Sequence, residues 1–286
     1  MKKRGQRQRV STPDEVRMNY VVPCWSGPRR IVDNFYDSDT TLYLKAHLHA
    51  LSNVKCNLSQ ITFVINHNPN EPDGFRQFIE GLPQEINEIP LVVLRRPTNQ
   101  GFTFGAWSYV YKLYGNDFSH YLYGEDDYAQ VMDHFDHVFL NYLNLYKSQG
   151  RRPGFVCPKT CLIDRSHGSL APFLYNLPQQ FHVPIFAIGM IPAECLAVLA
   201  NRYDNEVPYP RSDQYPDVDG GFTFHSIVNE GYTIEPIPDH SVVVLLHATN
   251  GGVHKRIGYF GTYNTGPTLF VPVQYTHQYN VLIGHA

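Results

Sequence analysis

Four groups of residues combine side-chain type and spacing in ways that could do chemistry. The first is Glu125-Asp126-Asp127, which follows Gly124 at the end of a short apolar run. Three adjacent carboxylates repel one another, and a divalent cation offsets that repulsion. Hard cations such as Mn²⁺ or Mg²⁺ take oxygen ligands, and a diphosphate can complete the shell. Acidic runs of this kind also occur on ordinary surface loops. The second group is Asn99-Gln100-Gly101, ahead of an apolar stretch with helical spacing. Glycine lets a ligand approach the backbone, and a helix N-terminus favours phosphate or polar sugar groups. A plain turn and cap would use the same residues. The third is Asp217-Val218-Asp219-Gly220-Gly221. An aspartate there can serve as a general base or as a helix N-cap. Asp213, Asp217 and Asp219 lack the alternating ligands and closing glutamate of a calcium loop. The fourth is His247, directly after Val242–Leu246, where a neutral imidazole could close a metal shell or serve a structural role.

These groups need elements that present them together. Strand-like and helix-like runs alternate through the first half, which predicts an α/β fold with a mainly parallel sheet. Tyr20–Pro23, Ile61–Ile65, Leu91–Leu94 and Tyr121–Tyr123 read as strands. Asp37–Asn53, Phe75–Leu82, Phe104–Tyr114 and Val131–Lys147 read as helices, the first capped by Ser38 or Asp39. The second half is less regular. It offers a strand at Phe155-Val156, a long loop over 162–182, and a strand at Ile185–Met190. A helix then starts at Pro192, another runs from Gly220 to Glu230 capped by Asp219, and a buried strand covers Ser241–Leu246. Each acidic or amide group thus falls just after a strand or at a helix start.

Composition narrows the partners. The 286 residues carry a net charge of −3 with 43% hydrophobic residues, so the fold as a whole is no polyanion binder and no nucleic-acid partner is expected. Basic residues concentrate in the first ten positions (Lys2, Lys3, Arg4, Arg7 and Arg9), which reads as a solvated tail over 1–17. No apolar segment follows that start, and Val183–Ala200 is interrupted by Pro184, Pro192 and Glu194. Neither a secretory signal nor a transmembrane span is expected, and the reading is a soluble, cytoplasmic protein. Five scattered cysteines fit reduced thiols. The uncharged stretch after Arg256, within a 251–286 extension, suggests packing on the domain or a homodimer contact.

The order of these features along residues 18–250 resembles glycosyltransferases of the GT-A fold, most closely the inverting family 2-like group. The resemblance implies a Rossmann-like three-layer α/β/α domain, with a nucleotide-sugar half over about 18–130 and an acceptor half over about 150–250. Val21 to Trp25, with Pro23 and Trp25 facing the nucleotide, matches the first strand and loop. Asn66 or Asn68 matches the base-binding residue after the second strand, and Asn99 with Gly101 the loop before the next helix. Glu125-Asp126-Asp127 is similar to the family's D-x-D element, with Glu125 and Asp127 as metal ligands, Asp126 as an alternative, and His247 closing the shell. Ala187–Met190 matches the strand-Gly-helix segment near the acceptor. Asp217 or Asp219, through Gly231-Tyr232, matches the acidic motif, Asp219 being nearer the expected spacing for the base. Compact size and a basic start are also similar to soluble glycosyltransferases encoded by large DNA viruses.

The resemblance implies a metal-dependent, inverting transfer from a nucleoside-diphosphate sugar, UDP first, to a hydroxyl of a glycan or glycoprotein. Trp25 or Tyr128 would supply a stacking face, and the 162–182 loop with Arg165 and His167 a cover. Three alternatives remain at this stage: a sugar-phosphate nucleotidyltransferase, a non-catalytic carbohydrate-binding protein, and a retaining transferase. The loop Cys24–Arg30 holds one glycine, which counts against the first.

Overall fold

Period-two alternation of apolar side chains in the strands sends successive residues to opposite faces of one sheet, and each face is covered by helices. The computed structural model describes residues 16–27, 29–30, 36–37, 41–126, 128–130, 132–158, 160–164, 178–184, 187–209, 216–237 and 245–247. The elements run β1 (Met18–Cys24), β2 (Arg29–Arg30), β3 (Tyr36–Asp37), α1 (Leu42–Asn53), β4 (Gln60–Ile65), α2 (Asp73–Glu80), β5 (Glu85–Ile86), β6 (Ile89–Arg95) and α3 (Phe102–Tyr114). They continue with β7 (His120–Tyr123), β8 (Tyr128–Gln130), α4 (Phe135–Ser148), β9 (Pro153–Cys157), β10 (Thr160–Asp164), β11 (Gln180–Pro184), β12 (Gly189–Pro192), α5 (Ala193–Arg202), α6 (Pro216–Asn229), β13 (Thr233–Pro236) and β14 (Leu245–His247).

The central sheet has the order β13-β9-β12-β7-β1-β4-β6-β5. Strands β7, β1, β4 and β6 are mutually parallel, so their C-terminal ends share one edge. Strand β12 runs antiparallel between β7 and β9, and β5 antiparallel beside β6. The fold is therefore α/β with a mainly parallel sheet, as the alternation predicts. One apolar layer joins Tyr20, Val22, Ile61, Phe63 and Leu122 to α1, α2 and α4. The other joins Val21, Val64, Tyr121 and Tyr123 to α3, α5 and α6. Adjacent residues of β1 and β7 enter opposite layers, which is the three-layer arrangement. Burial of each large side chain, such as Phe63 or Trp107, contributes ~2–3 kcal/mol.

Several sequence expectations need correction. The first helix begins at Leu42, not Asp37, because Tyr36-Asp37 pairs with Arg29-Arg30 as a ribbon. Thr41 holds its N-cap position without a side-chain cap bond, and Ser38 and Asp39 lie outside the described residues. The fourth helix starts at Phe135, after the short β8 strand. The supposed loop over 162–182 contains parts of two strands, since β10 and β11 pair as an antiparallel ribbon. Of the strand expected at Ile185–Met190, Gly189 and Met190 are strand, in β12 of the central sheet; residues 185–186 lie outside the described residues, and the ribbon strand Gln180–Pro184 precedes them. Local spacing does not reveal such ribbons, because their strands carry no clear apolar run and are defined by pairing with each other. Among the described residues, no helix is long and apolar enough to cross a membrane.

Candidate functional site

In an open parallel sheet, the helix that follows each strand leaves a crevice beyond the strand C-termini, and ligands settle there. Here the ends of β1, β4, β6 and β7 carry Trp25, Asn66, Arg96 and Glu125, and the loops are joined directly. The Trp25 backbone N–H donates to Asp126 Oδ2 at 2.7 Å, tying the β1 exit to the β7 exit. Asn68 Nδ2 donates to Ser26 Oγ at 3.1 Å, tying the β4 exit to β1. Arg96 Nη1 donates to Asn66 Oδ1 at 3.1 Å, tying β6 to β4. Thr103 Oγ1, in the first turn of α3, donates to Glu125 Oε1 at 3.3 Å.

Close packing beneath these loops demands two glycines. A Cβ on Gly124 would stand 2.5 Å from Tyr20 Oη, so the chain can turn there only without a side chain. The Tyr20 hydroxyl in turn lies 3.1 Å from His47 Nε2, and burial raises its pKa. On the other side, a Cβ on Gly105 would stand 2.2 Å from the Gln100 carbonyl oxygen and 2.3 Å from Arg96 Nη2. Gly101 takes φ 68°, a left-handed conformation that suits glycine, and hands the chain into α3.

Arg96 was not singled out by sequence reasoning, although its place directly after a strand and before the Asn99-Gln100-Gly101 loop was a usable signal. It is 3% exposed. Its guanidinium donates to Asn66 Oδ1, to the Phe102 carbonyl at 3.5 Å and to the Gln100 carbonyl, and it faces the Tyr209 ring at 5.7 Å. Burial lowers its pKa, but a guanidinium stays charged. A cavity of about 400 Å³ opens beside it, lined by Asn66, His67, Asn68, Glu71, Arg76 and Arg95 among others.

The predicted residues fare differently. Pro23 sits inside β1, and Trp25 is half-buried with its ring folded over Gly27, where a Cβ would come within 2.5 Å of the indole. Asn66 is buried with its carbonyl oxygen held by Arg96. Asn68 spends both ends of its amide internally, on Ser26 and on the Asn70 N–H at 3.0 Å, so it shapes the loop. Asn99 Oδ1 is buried without a hydrogen-bond partner among the described residues. Asp126, 6% exposed, spends one oxygen on the Trp25 N–H.

Asp127 lies outside the described residues, as do the side chains of Tyr128, Asp217, Asp219 and His247 and the loop residues Arg165 and His167. Among the described residues, no three His, Cys, Asp or Glu side chains converge as a metal site. Backbone register still places two of these positions. Strand β14 pairs with β8 so that His247 lies opposite Tyr128, the residue after Asp127 in the sequence. Helix α6 begins at Pro216, which corrects the expected Asp219 cap: Asp217 and Asp219 both fall in the first helical turn. That helix packs on the first turn of α3 through Phe224 and Phe104, with ring centroids 5.4 Å apart. Thr223 Oγ1 donates to the Pro208 carbonyl at 2.6 Å, which holds the segment carrying Tyr209 over Arg96.

No protein-family description and no curated protein matches the sequence. Several solved structures align with part of the chain at low identity. A TarS fragment from S. aureus in complex with UDP aligns at 12% identity over 75% of this chain and 56% of that one, with a TM-score of 0.44. The glycosyltransferase GlyE of Streptococcus pneumoniae aligns at 13% identity over 79% and 46%, TM-score 0.36. A cytidylyltransferase from Leptospira borgpetersenii aligns at 12% identity over 78% and 76%, TM-score 0.40. The chain spans about a third (34%) of a longer TarS structure and about half of the TarS fragment and of GlyE.

Proposed function

We propose that this chain is a metal-dependent glycosyltransferase, moving a sugar from a nucleoside-diphosphate donor, UDP-sugar first, to a hydroxyl of a glycan or glycoprotein with inversion. The observation that carries the reading is the direct bonding of four parallel-strand exits into one crevice: Trp25 N–H to Asp126, Asn68 to Ser26, Asn66 to Arg96 and Thr103 to Glu125. A nucleotide sugar is long enough to span several neighbouring strand ends, at about 4.8 Å per strand.

Trp25 offers a flat face for the base, and the Asn66 amide a hydrogen-bonding edge. Asn99 Oδ1, without a hydrogen-bond partner among the described residues, suits a ribose or sugar hydroxyl donor. Glu125 supplies carboxylate oxygens of the kind that hold Mn²⁺ or Mg²⁺. Asp127 and His247 complete that set in this reading. The Asp126 carboxylate, which accepts the Trp25 N–H, positions the Trp25 loop instead of leading the ligand set. When bound, such a cation neutralises the charge that develops on the leaving diphosphate. Asp219, in the first turn of α6, accepts the acceptor hydroxyl's proton as its oxygen bonds to the anomeric carbon; Asp217 is the alternative base. The bond from that carbon to the diphosphate oxygen breaks with its electron pair leaving on the diphosphate, so one displacement inverts the centre.

A radiolabelled-product assay separates this reading from a sugar-phosphate nucleotidyltransferase. Release of nucleoside diphosphate supports it, and release of pyrophosphate from a nucleoside triphosphate overturns it. Asp219→Asn should lower kcat by ~10²–10⁴-fold with donor affinity unchanged within about threefold. If Asp217→Asn alone is inactive, the base is Asp217.

A further inference from the structure

The cavity at the exits of β4 and β6 carries a charge imbalance that the transferase reading does not use. Its lining includes three guanidinium groups, Arg76, Arg95 and Arg96, and one carboxylate, Glu71. Glu71 is nearly buried, its side chain 8% exposed, and is already committed. Arg95 Nη1 lies 3.0 Å from both of its oxygens, and Arg76 Nε 3.4 Å from one. Arg96 is the deepest of the three cations. Among the described residues Arg96 forms no ion pair: its direct partners are neutral carbonyl oxygens and Tyr209, through its ring and its hydroxyl, while Glu206, paired with Lys112, acts on it only at longer range. A guanidinium has five N–H donors, and the three carbonyl contacts and Tyr209 leave capacity for a ligand.

Leaving a charge buried without a counter-charge is costly, and a chain tolerates it where a ligand supplies the opposite sign. The Asn66 amide points the same way. Arginine can only donate, so Asn66 must turn Oδ1 toward Arg96, which leaves Nδ2 as a further donor at the cavity wall. The lining therefore presents an excess of donors, with three guanidinium groups against one carboxylate, around a space of about 400 Å³, ample for a phosphate group.

We infer that the Arg76–Arg95–Arg96 cavity is an anion-binding site for a phosphate group, either free phosphate or the phosphoryl group of a nucleotide. The site stands apart from the proposed glycosyl transfer: it holds Asn66 in common with that reading but uses neither the carboxylates after β7 nor the start of α6. Arg96 is its anchoring cation. Glu71 holds Arg76 and Arg95 in place and at the same time limits affinity by repelling the ligand.

The test is isothermal titration of the full chain, without added metal, with inorganic phosphate, UMP and uridine. Phosphate or UMP should bind, and uridine, which lacks the anion, at least tenfold more weakly than UMP. Phosphate binding comparable to UMP identifies free phosphate as sufficient; UMP alone binding identifies the nucleotide as the source. Arg96→Gln should weaken the binding anion at least tenfold. Glu71→Gln should strengthen it severalfold and steepen its loss with salt. That opposite sign keeps the inference testable if Arg96→Gln fails to fold. Binding of uridine equal to UMP, no anion binding at millimolar concentration, Arg96→Gln binding like wild type, or weaker binding in Glu71→Gln would each overturn the inference. A failure of sugar transfer in the product assay would leave these measurements unaffected.

Discussion

At the scale of single residues, Asp126 has two duties that its position in an acidic run does not separate. Its carboxylate accepts the Trp25 N–H across 101 residues of sequence, so part of its charge stabilises a loop rather than a ligand. Asp126→Ala should cost ~1–3 kcal/mol of stability in the ligand-free protein, because a buried backbone donor loses its partner; urea denaturation measures it. Glu125→Ala leaves that bond in place. It loses the Thr103 bond, and it should remove whatever metal dependence nucleotide binding has; retained metal dependence would remove Glu125 from the proposed ligand set. Gly105 is a residue whose importance the sequence hides, since glycine in a helical pattern reads as a weak point. The close approach of Arg96 and Gln100 explains it, and Gly105→Ala should destabilise by ~1–3 kcal/mol.

At the scale of elements, β7 and α3 share an aromatic stack. Trp107 lies 4.0 Å from the Tyr123 ring at 15°, while the Tyr123 hydroxyl and Trp107 Nε1 are both buried without hydrogen-bond partners among the described residues. An unpaired buried hydroxyl costs more than it contributes, so Tyr123→Phe should leave stability unchanged or raise it by about 1 kcal/mol; a lower melting temperature would mean that the hydroxyl is satisfied. Elements with strong local signals were legible in the sequence. Strands β1, β4, β6 and β7 are short apolar runs bounded by polar turns, and α2, α3 and α5 follow helical spacing closely. The β10–β11 ribbon was not legible, because Cys161 and Leu162 are exposed and the strands exist only through pairing with each other. The start of α6 was displaced because two aspartates and a proline compete for the first turn, and proline needs no N–H there.

At the scale of the whole molecule, one pH response is expected. Desolvation holds the pKa of His120, at the start of β7, down to about 4, with Lys147 reinforcing the shift. In the unfolded chain the ring titrates near its ordinary value, ~6.5. Between those values the unfolded state binds the proton and the folded state does not, so stability falls as pH drops from about 6.5 toward 4 and levels off below. The loss attributable to this ring is on the order of 2 kcal/mol. It is measured as the difference between wild type and His120→Gln in denaturant midpoints at pH 7 and pH 4.5, and an unchanged difference would rule the effect out.

The sequence by itself determined the α/β class, the mainly parallel sheet and which strand exits carry amides and acids, because side-chain period and turn residues act over a few neighbours. Only the tertiary structure decided which of those groups remain available. Asn68 is consumed by Ser26, one oxygen of Asp126 by Trp25, and the Asn66 carbonyl by Arg96. It also showed Arg96 to be a buried cation that forms no ion pair among the described residues. These outcomes depend on contacts between loops 30 to 101 residues apart. No local pattern encodes them, since hydrogen-bond capacity is allotted only when the strand ends are brought side by side.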